Sequence, residues 1–199
     1  MKPPAIAGLI LSGGASRRMG VPKALLEFQG ETFLDRLIRV LNMVCSPTTV
    51  VLGHGCEGIE TGLARSREVL FRINPDPGRG MLSSLQCGLS AAAADAVIFT
   101  PVDYPSVQPS TIAQLARAFA LHRAPVTIPV HDGQRGHPVC ISRDVIAELL
   151  ALPVSAQARD VIRAHRPLTY FVDVNDPGIL ADIDYPEDYR NLAARCEVA

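Results

Sequence analysis

No Cys-x-x-Cys pair occurs among the five cysteines of this 199-residue chain (Cys45, Cys56, Cys87, Cys140 and Cys196), and their number is odd. That pattern argues against a disulfide framework or a zinc knuckle and for reduced thiols in a cytosol. An apolar run of about 18 residues or more, the length of a membrane helix, is also missing. Met1-Lys2-Pro3-Pro4 lacks the pattern of a signal peptide, so a soluble, cytoplasmic protein with no membrane partner is expected. Neither sign of charge is in excess. The formal net charge is −1, which leaves no global electrostatic footprint for nucleic acid. Any anion site must therefore be made by local charge. Internal repeats, low-complexity tracts and linkers are absent too. With 48% hydrophobic and 20% charged residues, the chain reads as one globular domain over residues 1–199.

What is present is alternation. Short apolar runs at Ala5–Leu11, Thr48–Leu52, Val69–Ile73, Ala96–Thr100, Pro125–Val130, Val139–Ile141 and Leu168–Val172 read as strands. Between them lie helical periods. Thr32 caps a helix with Phe33, Leu34, Leu37, Ile38, Leu41 and Val44 on one face. Ile59–Ala64 is a weak helix, and Met81, Leu85, Leu89 and the run Ala91–Ala94 suit another. Ile112, Leu115, Ala116 and Phe119 repeat at helical spacing. Val145, Ile146, Leu149 and Leu150 mark a helix capped by Ser142, and Gln157–His165 and Pro186–Cys196 complete the set. Strands alternating with helices predict a three-layer α/β/α, Rossmann-like architecture, with a mostly parallel sheet and helices on both faces. Ligands of such sheets bind beyond the carboxyl ends of the strands.

The most informative segment lies at such an end. The first apolar run stops at Leu11-Ser12-Gly13-Gly14-Ala15-Ser16-Arg17-Arg18-Met19-Gly20-Val21-Pro22-Lys23. A strand feeding a glycine turn that leads into a helix presents several N–H groups to one anion. Arg17, Arg18 and Lys23 then supply the charge to neutralise a polyphosphate. The spacing is neither that of a P-loop, which needs Gly-Lys-Ser/Thr in succession, nor that of the Gly-x-Gly-x-x-Gly fingerprint. A tight surface turn with solvated charges is the plain alternative to a nucleoside triphosphate site.

Asp103 follows the fourth strand, between Pro101 and Pro105, and so falls on the same sheet edge as the glycine loop. A carboxylate placed there suits Mg²⁺, which takes one or two carboxylates plus phosphate oxygens; a turn-forming aspartate is the bland alternative. In the late cluster Asp182-Ile183-Asp184-Tyr185-Pro186-Glu187-Asp188, the last two acids belong to the first turn of a helix, where negative charge suits the dipole. Asp182 and Asp184 share one face of an extended segment. Asp182 is the favoured second metal ligand and Asp184 the other choice. Ser83, in Gly80-Met81-Leu82-Ser83-Ser84, opens a helix and reads either as a base contact or as an ordinary cap. His137 lies in a polar loop, either as a substrate contact or as a solvated turn residue. His54, His122, His131 and His165 show no metal spacing, and no Ser/His/Asp or Cys/His set stands out.

Leu11–Lys23 together with Asp103 resemble the MobA-like nucleotidyltransferase family, which contains molybdenum cofactor guanylyltransferases and cytidylyltransferases. The likeness continues through Gly80–Gly88, Pro101–Pro105, Gly136-His137-Pro138 and Asp182–Asp188, in the family's order. It implies a fold of the nucleotide-diphospho-sugar transferase type. It also implies that Leu11, Gly13 and Gly14 bind the nucleotide, that Arg18 and Lys23 hold its phosphates, and that Asp103 binds Mg²⁺ with help from Asp182. Base selection is associated with the first loop and the region of Ser83. Gly-Met-Leu-Ser-Ser-Leu and Gly-His-Pro-Val resemble the cytidylyltransferase branch, whereas Gly13-Gly14 resembles the guanylyltransferase branch; Tyr104 stands where the family commonly has glutamine. The implied reaction is transfer of NMP from CTP or GTP to a phosphorylated acceptor, with molybdopterin foremost and an apo-molybdoenzyme as a partner for the product. A sugar 1-phosphate acceptor keeps the same chemistry. A non-catalytic nucleotide or molybdenum cofactor carrier is the rival of another class.

Overall fold

In the computed structural model of the chain, which describes residues 3–14, 18–53, 58–153 and 155–196, β1 (Ile6–Ser12) is buried along its whole length. A strand so covered belongs inside a sheet with helices on both sides. In chain order there follow β2 (Glu27–Phe28), β3 (Glu31–Thr32), α1 (Phe33–Asn42), β4 (Thr48–Leu52), β5 (Leu70–Ile73) and α2 (Met81–Leu89). Next come β6 (Ala96–Pro101), α3 (Pro109–His122), β7 (Val126–His131), β8 (Gln134–Arg135) and β9 (Val139–Ser142). The chain closes with α4 (Arg143–Ala151), α5 (Ala158–Ala164), β10 (Tyr170–Asp173) and α6 (Pro186–Cys196).

The main sheet has the order β10-β7-β9-β6-β1-β4-β5, with β8 paired to β7 at its end. β1 runs parallel to β4 and β6, β4 to β5, and β7 to β10. β9 enters antiparallel between β6 and β7, so the expected parallel sheet carries one reversed inner strand. Alternation along the strands divides the core. Ile6, Ile10, Val50, Leu52, Ala96 and Ile98 face α1 and α3 on one side. Leu9, Leu11, Val51, Val97 and Phe99 face α2 and α4 on the other. The three expected layers are therefore present. Among the described residues no helix is long and apolar enough to cross a membrane.

Two expectations fail at element ends, and a third in a segment read as a weak helix. α2 stops at Leu89, and Ala91–Ala94 lie outside it. The chain must turn there to enter β6, and Asp95 pins the turn, its backbone N–H donating to the Ala5 carbonyl at 2.8 Å and its carboxylate accepting from the Ala5 N–H at 2.9 Å. Helix propensity of an alanine run yields to that connection. The other concerns the segment after the glycine loop. It does not run into a helix. A single turn of 3₁₀ helix (Lys23–Leu25) and the β2–β3 hairpin come first, and α1 begins only at Phe33. Ile59–Ala64 likewise holds only a short 3₁₀ turn, Glu60–Gly62.

Candidate active site

The register of the sheet brings the loop and the carboxylate together. Leu11 pairs with Pro101, and the Val102 N–H donates to the Leu11 carbonyl at 3.0 Å, so β1 and β6 end side by side. Beyond these ends lies a cavity of about 330 Å³, whose wall includes Leu11, Gly14, Arg18, Lys23, Asp103 and Asp184. Arg17, with Ala15 and Ser16, lies outside the described residues, as does His54.

Lys23 is the centre of the charge network. Its stem is buried where the 3₁₀ turn begins, and only 10% of the side chain remains exposed. Its ammonium donates to Asp184 Oδ1 at 2.6 Å and lies 3.1 Å from Asp103 Oδ1. The Arg18 guanidinium meets the other Asp184 oxygen at 3.3 Å and lies 5.0 Å from the centre of the Tyr185 ring. Burial works against the Lys23 charge, but its hydrogen bonds to Asp184 and Asp103 and their attraction hold its pKa above the ordinary value. The same hydrogen bond holds Asp184 below the usual carboxylate range. Asp103 is more enclosed, and burial raises its pKa despite Lys23.

Asp182 belongs to the same group. One carboxylate oxygen from each of Asp103, Asp182 and Asp184 lies within 4.8 Å of the others. Burial, and then the charges of Asp184 and Asp103, push the Asp182 carboxyl upward. A triad of hard oxygen ligands that repel one another is the donor set a divalent cation such as Mg²⁺ accepts. Of the two late aspartates, Asp184 is the one that lines the cavity and meets Lys23. The sequence favours Asp182 as second ligand, although strand alternation by itself treats the two alike. The segment is not a strand. Asp188, in the first turn of α6, accepts the backbone N–H groups of Asp184 and Tyr185 at 3.1 and 2.7 Å and turns this stretch towards the loop.

The glycine loop is held from behind by groups that sequence reasoning missed. A Cβ on Gly13 would sit 2.7 Å from Ser84 Oγ, and one on Gly53 would strike the Gly13 carbonyl. Both positions need glycine for this close approach. Asn74, 2% exposed, donates through its amide to Ser83 Oγ at 2.8 Å and Ser84 Oγ at 3.0 Å. Ser83 is buried, with its hydroxyl 3.0 Å from the Asp76 carbonyl and 2.9 Å from that of Gly80. It does not line the nucleotide-sized cavity. Neither does His137, whose ring packs 4.8 Å from that of Tyr104. The one signal for the Asn74 role was the Asn-Pro-Asp-Pro-Gly segment, which reads only as a loop.

A family model for the MobA-like NTP transferase domain matches residues 8–168. The molybdenum cofactor cytidylyltransferase of Escherichia coli (strain K12) is 26% identical over 191 residues, 96% of this chain and 97% of that protein. A probable molybdenum cofactor guanylyltransferase of Rhodopirellula baltica is 31% identical across 94% of this chain and 93% of its own length. Among solved structures, Rv0371c from Mycobacterium tuberculosis H37Rv superposes with a TM-score of 0.83 at 25% identity, covering 98% of this chain and all of the other.

Proposed function

We propose that this chain, which belongs to the MobA-like NTP transferase family, transfers NMP from CTP or GTP to the phosphate of molybdopterin and releases pyrophosphate. One observation carries the reading: Lys23 stands between Asp103 and Asp184 in a cavity at the carboxyl ends of β1 and β6. A cation and two carboxylates at that edge suit a triphosphate and its metal.

Catalysis of this kind is positioning and charge neutralisation. An oxygen of the acceptor phosphate attacks the α-phosphorus in line. The new P–O bond forms as the bond to the α,β-bridging oxygen breaks, and pyrophosphate departs with that electron pair. Backbone groups of Leu11–Gly14 face the nucleotide. Lys23 and Arg18 balance the charge that builds on the phosphates, in a site already arranged for it. Asp103, with Asp184 and Asp182, would hold Mg²⁺, which would supply Lewis acidity at the α-phosphoryl group. No protein nucleophile is needed, since the acceptor phosphate is anionic at neutral pH. One domain over residues 1–199 houses both substrates, and a molybdoenzyme takes up the product.

The test is turnover with CTP and with GTP, each with and without molybdopterin. Pyrophosphate release with one nucleotide, dependent on molybdopterin, is expected. Tight nucleotide binding without pyrophosphate from either would leave only the carrier reading.

A further inference from the structure

One carboxylate engages both cations that would face the nucleotide's phosphates. Asp184 accepts from the Lys23 ammonium through Oδ1 at 2.6 Å and from the Arg18 guanidinium through Oδ2 at 3.3 Å. Each oxygen holds a different cation, so the carboxylate bridges the two. Hydrogen bonds between ionised groups are the strong class. The Lys23 pair is the tighter, since only 10% of that side chain is exposed and water screens it little. Arg18 is looser. Its side chain is 61% exposed, and its guanidinium rests 5.0 Å from the centre of the Tyr185 ring. Asp184 and Tyr185 together fix the arginine at the cavity wall.

Both halves of this pairing are braced. On the acidic side, the Ile183 N–H donates to the Asp103 carbonyl at 3.0 Å, which ties the Asp182–Asp184 segment to the end of β6. Asp188 holds the N–H groups of Asp184 and Tyr185 from the first turn of α6. One residue further on, the Tyr189 hydroxyl donates to the Glu27 carbonyl on β2 at 2.8 Å. Its ring packs edge-on against Phe33, the centroids 5.8 Å apart. The hairpin that follows Lys23 is thereby pinned to the helix that follows Asp184. Lysine and aspartate are presented to each other by fixed backbone, not by the chance meeting of two mobile surface groups.

Asp184 has competing claimants. It pairs with the two cations, and it also belongs with Asp103 and Asp182 to the group that suits a divalent ion. Once it ligates such an ion, its carboxylate has less charge to offer Lys23 and Arg18, and phosphate oxygens can take the places its own oxygens held. Asp182 differs. It carries the same charge in the same group, yet among the described residues it forms no ion pair. We propose that Asp184 is an internal stand-in for a phosphate, which locks Lys23 and Arg18 until a divalent cation on the three aspartates releases them to the nucleotide. The inference rests on the nucleotidyl-transfer reading and adds how that site is kept closed to nucleotide without metal. Coupling of this kind is reciprocal, so nucleotide tightens metal binding by the same factor.

The experiment is calorimetric titration of CTP and of GTP into wild type, Asp184→Asn and Asp182→Asn, in EDTA and in saturating Mg²⁺. In EDTA, Asp184→Asn is expected to bind nucleotide about tenfold more tightly than wild type, the scale of a charge-assisted contact that no longer has to be displaced. Asp182→Asn removes a charge without freeing a cation and should gain no more than about threefold, the scale of one repulsion across a wet site. Equal gains in the two variants would reduce the effect to bulk repulsion and overturn the lock, as would an unchanged Asp184→Asn. A second reading needs no variant. Lys2 and Lys23 are the only lysines, so Lys2 serves as reference in acylation followed by mass spectrometry. Mg²⁺ alone should speed acylation of Lys23 by about threefold or more relative to Lys2. An unchanged ratio would overturn the proposal even if Asp184→Asn fails to fold. Wild type that binds neither nucleotide in Mg²⁺ would sink the transferase reading together with this one, whereas the outcomes above sink the lock alone.

Discussion

Lys23 shows how a side chain that reads as a solvated loop cation is remade by its neighbours. Pro22 starts the 3₁₀ turn that buries the lysine stem, and the segment leading into α6 brings Asp184 from 161 residues away. Local sequence named Lys23, Arg18 and Asp103, because strand, glycines and cations are contiguous signals. That Asp184 lines the cavity beside Lys23 was not legible, since it depends on Asp188 capping a turn. The pairing has a pH consequence. Asp184 is held low by Lys23, so its contribution to stability is present above the ordinary carboxylate pKa and is lost as pH falls through the lowered value. Asp103, raised by burial, works the opposite way in the acid range. Lys23→Ala should therefore move the Asp184 titration upward, towards its ordinary value, in a carboxyl NMR titration; an unmoved midpoint would refute the pairing. Gly53→Ala is expected to drive the Gly13 carbonyl out of place, at a cost of about 1–3 kcal/mol, and to raise the KM for nucleotide. A variant with normal stability and KM would show that the loop has room to move.

At the scale of elements, periodicity and caps were good guides where a helix supplies its own ends. Thr32 accepts the Asp35 N–H at 3.0 Å as its position before Phe33 implies. Asp35 then goes further, taking the N–H groups of Ala64 and Arg65 at 3.2 and 2.8 Å and tying α1 to the chain beyond β4. α3 follows a different rule. The side chain at its own cap position, Gln108, does not cap the helix. The carboxylate of Asp176, 1% exposed, accepts the Gln108 N–H at 2.9 Å and the Thr111 hydroxyl at 2.6 Å. A cap brought in from nearly seventy residues away leaves no local pattern to read. Asp176→Ala orphans three donors, the Gln108 and Gly178 N–H groups and the Thr111 hydroxyl, and should cost about 2–4 kcal/mol in urea unfolding. A loss under about 0.5 kcal/mol would mean that water replaces the carboxylate.

For the whole molecule, the layered sheet was legible because strand alternation sorts two apolar faces with little help from the loops. The reversal of β9 was not, because an apolar run carries no direction. The carboxyl ends of β1 and β6 are the consequence that matters: they gather groups from the start, middle and end of the chain into one cleft. A divalent cation bound there, with Mg²⁺ as the proposed ion, would relieve three mutually repelling carboxylates and so favour the folded state. It should raise Tm, by roughly 2.7 kcal/mol of stabilisation at about 100-fold excess over Kd, and Asp103→Asn should abolish the shift. The central claim, that this cleft performs nucleotidyl transfer, is tested most directly by pyrophosphate release in Lys23→Ala and Asp103→Ala under saturating nucleotide and molybdopterin. Each rate is predicted to fall by ~10²-fold or more, the scale of removing one preorganised electrostatic group. Near-normal rates in both variants would contradict it.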